Sequence, residues 1–192
     1  MVIIDNDIYS ILKNTSNKVN SAKLLAYLAH EDCYRNNSKT PYIYHPAQVV
    51  NRINRWGIDK KILMNMVIAA WLHDTLEDTD LDINIIDKLY GSDVTYLVKE
   101  LTYIKNDKIT KADYIENIAK HRDIRVVIIK CADRLCNVED FINDGLIDYA
   151  SQYFNKASSI MKRVNTSCRD NHYITDDIKS VFELVQLVKF SL

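Results

Sequence analysis

Glycine and proline are scarce in this sequence, with three Gly and two Pro among 192 residues. Because these residues mark most turns and chain reversals, their scarcity predicts a chain that is mostly helical. The length allows one domain with a substantial buried core, and the 47% hydrophobic and 27% charged content is typical of a globular protein. We therefore predict an all-α fold in a single domain that spans residues 1–192.

An excess of charge, a long apolar run and paired cysteines are also missing. The formal net charge of −1 argues against general nucleic-acid binding. No apolar run approaches the roughly 18 residues of a membrane span, and the opening residues MVIIDNDIYS do not resemble a signal peptide. Four cysteines without a CxxC pair argue against a zinc knuckle and a disulfide framework: Cys33, Cys131, Cys136 and Cys168. We expect free thiols and a cytoplasmic protein that binds neither nucleic acid nor membrane.

Apolar residues recur at helical spacing along most of the chain. The clearest helix is predicted over residues 59–78, with Asp59 as its N-cap, and residues 36–41 are predicted to form a polar loop. The run VVII at 126–129 is compatible with a strand, but its continuation into CADRLCNVED favours a helix. Further helices are predicted in these segments: 18–35, 45–56, 83–91, 93–104, 110–121, 123–142, 148–164 and 176–190.

The stretch AAWLHDTLEDT places four ionisable side chains at the end of an apolar run: His73, Asp74, Glu77 and Asp78. His73 continues the apolar stripe of the predicted helix, and Glu77 four residues later shares its face. Buried carboxylates without a partner cost free energy, and a divalent cation would supply the missing positive charge. A solvent-exposed acidic turn with one core histidine remains the alternative.

Two other stretches favour the cation. TPYIYHPAQVV places His45 at the start of a helix, and IIKCADRLCNVED places Asp133 after an apolar run, with Asn137 on the same helical face. A plausible set of metal ligands therefore has four members: His45, His73, Asp74 and Asp133. Imidazole and carboxylate suit Mn, Zn or Fe better than Ca. Such a set leaves coordination positions for water and substrate, as a hydrolytic metal site requires.

The order of these residues resembles the H…HD…D pattern of the HD-domain metal-dependent phosphohydrolases. Three longer motifs, AHEDCYRNNSKTPYIYHP, AAWLHDTLEDT and KCADRLCNVED, are similar to motifs of the guanosine tetraphosphate (ppGpp) hydrolase domain of the RelA/SpoT family. Its single-domain members are the small alarmone hydrolases, and the resemblance covers about residues 20–160. It implies an HD-domain helical bundle. We expect no synthetase domain, because this one domain accounts for the 192 residues.

The resemblance also implies roles for individual residues. The four ligands would hold one ion, usually Mn2+ in this family, and the pair Glu77 and Asp78 would orient or activate the attacking water. The implied substrate contacts are Arg35 and, in a looser alignment, Lys105 and Lys108 at the phosphates, with Asn137 and Tyr153 at the nucleoside.

The implied reaction is Mn-dependent hydrolysis of the 3′-pyrophosphate of ppGpp or pppGpp to GDP or GTP and pyrophosphate. The chain departs from the family pattern at Glu139, at Tyr149 and in the loop 36–40, which contains Ser38 and Lys39. These departures concern phosphate and base recognition. Three alternatives therefore stay open: an HD phosphohydrolase of another nucleotide that carries phosphate on its ribose, such as an adenine alarmone or NADPH; a generic HD nucleotidase; and a non-catalytic nucleotide-binding module.

Overall fold

A computed structural model of the protein describes residues 4–35, 39–105 and 108–190. Within these ranges the chain forms twelve α-helices and no β-strand, which confirms the predicted all-α class. Ser38 lies outside the described residues. The helices are α1 Asn6–Asn14, α2 Lys18–Ala29, α3 Tyr44–Arg55, α4 Lys60–Leu72, α5 Thr75–Asp78, α6 Ile83–Tyr90, α7 Ser92–Leu101, α8 Lys111–Ala119, α9 Ile124–Asn143, α10 Ile147–Lys156, α11 Ser158–Ser167 and α12 His172–Phe190.

Capping residues set several helix boundaries. Asp59 accepts a hydrogen bond from the backbone N–H of Lys61, which confirms it as the N-cap of α4. Helix α6 ends at Gly91, where φ is 84° and ψ is 171°. That backbone conformation is essentially restricted to glycine, so α6 stops there and α7 begins directly after it.

The single helix predicted over residues 59–78 was wrong, because α4 ends at Leu72 and a separate turn of helix, α5, follows. Two side chains bond the backbone carbonyls of the last turn: His73 Nδ1 lies 2.8 Å from the Ala70 oxygen, and Thr75 Oγ1 donates to the Leu72 oxygen at 2.7 Å. Such local bonds compete with the helical hydrogen-bond ladder and end it. His73 and Asp74 therefore lie in the break.

The described helices group into two compact units. The first contains residues 1–50 and 58–104, and the second contains residues 51–57 and 105–192. In the first unit α4 packs against α2 and α7, and from Met66 to Leu72 every residue of α4 is buried. The sequence predicted an apolar stripe on one face of this helix, but in its second half all faces are buried. The expectation of one domain over the whole chain stays a prediction.

Helix α9 forms the centre of the second unit, where α8, α10, α11 and α12 contact it. Every residue from Val126 to Val138 is buried, which explains why a run as β-branched as VVII occurs in a helix. Cys131 and Cys136 are among them, and all four cysteines are free, as predicted. Burial raises the pKa of the Cys136 thiol to about 12, so this thiol is protonated and unreactive near neutral pH.

Among the residues that the structure describes, no helix combines the length and the apolar character that crossing a membrane requires.

Candidate metal centre

Two histidines and an aspartate converge in the first unit. One potential ligand atom from each of His45, His73 and Asp74 lies within 4.8 Å of the others. His73 Nε2 is 3.0 Å and His45 Nε2 is 3.6 Å from the same carboxylate oxygen, Asp74 Oδ2. Both imidazoles are buried and the Asp74 side chain is only 13% exposed. The structure thus brings together three of the four predicted ligands.

Helix boundaries position these three side chains. His45 is in the first turn of α3, and the other two follow the last residue of α4. A carbonyl oxygen only accepts hydrogen bonds, so the bond between His73 Nδ1 and the Ala70 carbonyl places the imidazole proton on Nδ1. Nε2 then presents its lone pair toward Asp74, which is the tautomer that a metal-binding histidine needs.

This arrangement fits a divalent transition-metal ion. Two neutral imidazole nitrogens and one carboxylate oxygen are a donor set typical of Zn, Mn or Fe sites and less suited to Ca2+. The cation would also compensate the charge of the mostly buried Asp74 carboxylate. A metal centre is therefore supported by donor chemistry as well as by spacing.

Two aromatic rings that were not among the predicted site residues lie at this centre. The Tyr42 hydroxyl donates a hydrogen bond to Asp74 Oδ2 at 2.6 Å. His30 stacks on the Tyr42 ring with 4.6 Å between ring centres and 10° between planes. Both residues occur in the AHEDCYRNNSKTPYIYHP motif. The motif therefore pointed to them, although only Arg35 and His45 are predicted from it as site residues.

The predicted phosphate contact Arg35 also lies beside Tyr42, with its guanidinium carbon 5.5 Å from the ring centre. Burial raises the pKa of Tyr42 far above its usual range, and so do the charges of Asp74 and Asp78 and the hydrogen bonds to both carboxylates. The Tyr42 hydroxyl therefore keeps its proton and acts as a hydrogen-bond donor.

The carboxylates of Glu77 and Asp78 follow in α5. Glu77 is partly buried and accepts a hydrogen bond from the backbone N–H of Tyr103 at 3.1 Å, whereas Asp78 is exposed. Both line a cavity of about 640 Å³ whose wall also includes Glu31 and Asp32. This cavity offers water access to two carboxylates that follow the candidate metal ligands in the sequence.

The second unit contains Asp133 and Asn137 on α9. Asp133 Oδ1 accepts a hydrogen bond from Asn137 Nδ2 at 2.6 Å, which confirms that the two side chains share a helical face. Asp133 Oδ2 is 2.9 Å from the buried ammonium of Lys130, a partner that sequence reasoning missed although its spacing of three residues was visible. That Asp133 is the fourth metal ligand stays a prediction.

Tyr153 belongs to an aromatic cluster on α9 and α10. The buried guanidinium carbon of Arg134 lies 4.4 Å from the Tyr153 ring centre, and Phe141 contacts both Tyr149 and Tyr153 edge to face. Tyr149 is 49% exposed, so an aromatic face is accessible at this departure from the family pattern. Tyr153 thus has an environment suited to stacking, and its nucleoside contact stays a prediction.

The charge of Glu139 is compensated within the second unit. Glu139 Oε1 accepts a hydrogen bond from Arg52 Nη2 at 2.6 Å. Glu139, where the chain departs from the family pattern, is therefore paired with the buried guanidinium of Arg52. Lys105 and Lys108 are exposed between α7 and α8, and their phosphate contacts stay predictions.

The family model described as HD domain matches residues 22–152. The chain therefore belongs to the HD-domain family. The three converging ligands are the H…HD part of the pattern from which membership was predicted.

Individual relatives confirm the resemblance to RelA/SpoT-type proteins. A probable guanosine-3′,5′-bis(diphosphate) 3′-pyrophosphohydrolase of Synechocystis is 37% identical over 111 residues, which are 54% of this chain and 14% of that protein. The guanosine-3′,5′-bis(diphosphate) 3′-pyrophosphohydrolase of Aquifex aeolicus is 39% identical over 104 residues, or 52% of this chain and 14% of that protein. The chain thus spans about a seventh of the length of these curated relatives.

A solved structure matches over most of both chains. It is described as a metazoan ortholog of SpoT that hydrolyses ppGpp, and its TM-score to this protein is 0.70 with 26% sequence identity. The match covers 88% of this chain and 96% of that chain. The predicted HD-domain helical fold is therefore confirmed.

Proposed function

We propose that this chain is a cytoplasmic, Mn2+-dependent phosphohydrolase that removes the 3′-pyrophosphate of ppGpp or pppGpp. The convergence of His45, His73 and Asp74, followed directly by two carboxylates in α5, is the observation that carries the proposal. The names of the curated relatives and the activity described for the metazoan structure support the substrate. The four free thiols support a reducing compartment.

Four side chains would hold the ion: His45, His73, Asp74 and Asp133. When bound, such an ion lowers the pKa of a coordinated water and neutralises charge on phosphate oxygens. The Nδ1 proton of His73, held by the Ala70 carbonyl, keeps Nε2 available as a donor atom. The hydrogen bond from Tyr42 orients the Asp74 carboxylate.

Glu77 and Asp78 act as candidate general bases, which accept the proton of the attacking water. Glu77 is anchored by the backbone N–H of Tyr103, while the exposed Asp78 is accessible to water. Either carboxylate can accept a proton from the water while the water oxygen forms a bond to a phosphorus atom, the one that is covalently attached to the ribose 3′ oxygen. The bond from that phosphorus to the 3′ oxygen breaks, the 3′ oxygen takes up a proton, and GDP or GTP leaves with pyrophosphate.

Substrate contacts are proposed at both ends of the nucleotide. Arg35, Lys105 and Lys108 would contact phosphate oxygens, since guanidinium and ammonium groups bind them through charge-assisted hydrogen bonds. Asn137 and Tyr153 would contact the nucleoside. The stacking of Arg134 on Tyr153 supports this role because it restrains the aromatic ring.

Another 3′-phosphorylated nucleotide, with an adenine base, is the second candidate substrate. The exposed Tyr149 beside Tyr153 is compatible with it, because stacking on an aromatic ring does not discriminate between adenine and guanine. Matched kinetics with guanine and adenine nucleotides that carry the same 3′-phosphates distinguish the two.

The direct test is chromatography of ppGpp after incubation with purified protein and Mn2+. We expect GDP and pyrophosphate from the wild type and at least a hundredfold slower turnover from the double variant Glu77→Gln, Asp78→Asn. The matched control is Glu31→Gln, which removes a carboxylate from the wall of the same cavity and should retain activity. Intact ppGpp with metal-loaded wild type would contradict the proposal. Tight binding without product would indicate a non-catalytic nucleotide-binding module.

A further inference from the structure

The hydroxyl of Tyr42 bonds to the carboxylate oxygen at which the candidate metal ligands meet. It donates to Asp74 Oδ2 at 2.6 Å, and the same oxygen lies 3.0 Å from His73 Nε2 and 3.6 Å from His45 Nε2. A hydroxyl that donates to one oxygen of a carboxylate limits rotation of the whole group. Asp74 is therefore held in one orientation by a residue that offers no ligand atom to the set.

The Tyr42 ring is itself held in place. His30 stacks on it almost in parallel, and His30 Nδ1 bonds to the Ala26 carbonyl in α2 at 3.0 Å. The backbone N–H of Tyr42 donates to the Cys33 carbonyl at 2.8 Å, so both the ring and the main chain at this position are restrained. The stack and the hydroxyl bond connect the end of α2 to Asp74.

We propose that Tyr42 is a positioning residue that sets metal affinity through its hydrogen bond to Asp74, and that His30 acts through Tyr42 by fixing the plane of its ring. This inference rests on the metal centre of the proposed function. Carboxylates that bind metals commonly depend on such outer partners, whose loss costs about ten- to a hundredfold in metal affinity or activity.

Mn2+ affinity, measured by competition with a chelator, tests the proposal in Tyr42→Phe. We expect Mn2+ to bind about ten- to a hundredfold more weakly than to wild type. We expect the turnover lost at limiting Mn2+ to be partly recovered at saturating Mn2+, with little change in the nucleotide KM. The loss that remains reports the hydrogen bond from Tyr42 to Asp78. The matched control is Tyr90→Phe, which removes a hydroxyl bonded to Ser21 in the same unit and should leave Mn2+ affinity unchanged. Circular dichroism in chelator shows whether each variant is folded.

His30→Ala, alone and combined with Tyr42→Phe, tests whether His30 acts through Tyr42. His30→Ala should weaken Mn2+ binding in the wild-type background and have little further effect once the hydroxyl is absent. His30→Phe keeps a stacking ring and should restore most of the affinity. Equal losses from His30→Ala in both backgrounds would show that His30 does not act through Tyr42.

Unchanged Mn2+ affinity in a folded Tyr42→Phe protein would overturn the proposal. A wild type that binds Mn2+ without hydrolysing ppGpp would overturn the proposed substrate while leaving the Tyr42 effect measurable. A wild type that does not bind Mn2+ would overturn both.

Discussion

The side chain of Arg52 shows how one residue in the second unit organises its neighbours. Its guanidinium is buried and lies 2.6 Å from Glu139 Oε1 and 3.2 Å from Asp177 Oδ2. Asp177 Oδ2 also accepts the indole N–H of Trp56 at 2.7 Å. A buried cation is tolerated when such partners are present, and removing one of them leaves charge and a donor uncompensated.

We therefore expect Asp177→Ala to lower the free energy of unfolding by about 3 kcal/mol, since the buried guanidinium loses one of its two ion-pair partners and the indole N–H loses its acceptor. Urea denaturation measures this loss. The neighbouring exposed residue provides the control, and Asp176→Ala should change stability by less than about 0.5 kcal/mol. Similar values for the two variants would contradict a structural role for the Arg52 network.

Helix α9 begins at a carboxylate whose ionisation affects the stability of the folded protein. Asp123 is the N-cap of α9, accepts the backbone N–H of Arg125 at 3.0 Å, and is bonded by the Arg125 guanidinium at 2.7 and 3.1 Å. The hydrogen bonds from the Arg125 side chain are the main reason why the pKa of Asp123 is lowered. Its ionised form thus stabilises the folded state.

This pKa shift predicts the direction of a pH effect. The stabilisation is fully present above the unfolded pKa of about 3.9 and is lost as pH falls through the lower folded pKa. Asp123→Asn keeps a capping side chain but not the charge, so its stability deficit should be largest near neutral pH and shrink in acid. Denaturation curves from pH 7 to pH 3 measure it, with the exposed Asp148→Asn as a control for the lost charge. A deficit that does not change with pH would rule out the ionic contribution.

Metal binding should be coupled to the folding of this protein. An ion that binds only the folded chain stabilises it by about 2.7 kcal/mol when its free concentration is a hundred times its Kd. We expect Mn2+ to raise the Tm of the wild type and a chelator to reverse the shift.

His73→Asn and Asp133→Asn should each abolish most of this Mn2+-dependent shift, whereas Glu31→Gln should retain it. Thermal unfolding followed by circular dichroism provides the comparison. If Mn2+ raised the Tm of Asp133→Asn as much as that of the wild type, Asp133 would not be a metal ligand. The other three candidate ligands would be unaffected by that result.

Local sequence determined much of this protein. The scarcity of glycine and proline and the helical periodicity predicted the all-α class, and the Asp59 cap and the stop at Gly91 were predicted because capping depends on neighbouring residues in the chain. The motifs around His45 and His73 predicted the family and the three candidate metal ligands that the first unit brings together. Helical spacing alone predicted that Asn137 and Asp133 share a helical face.

The helix break and the side-chain partners of Asp74 and Glu139 depend on tertiary structure and were not predicted from the sequence. The break after Leu72 arises from side-chain bonds to carbonyls, which apolar periodicity does not reveal. The partners of Asp74 and Glu139 are Tyr42 and Arg52, which lie 32 and 87 residues away along the chain. Hydrogen bonds and ion pairs act over a few ångströms, so their partners depend on how helices pack, and spacing in one sequence does not encode that packing.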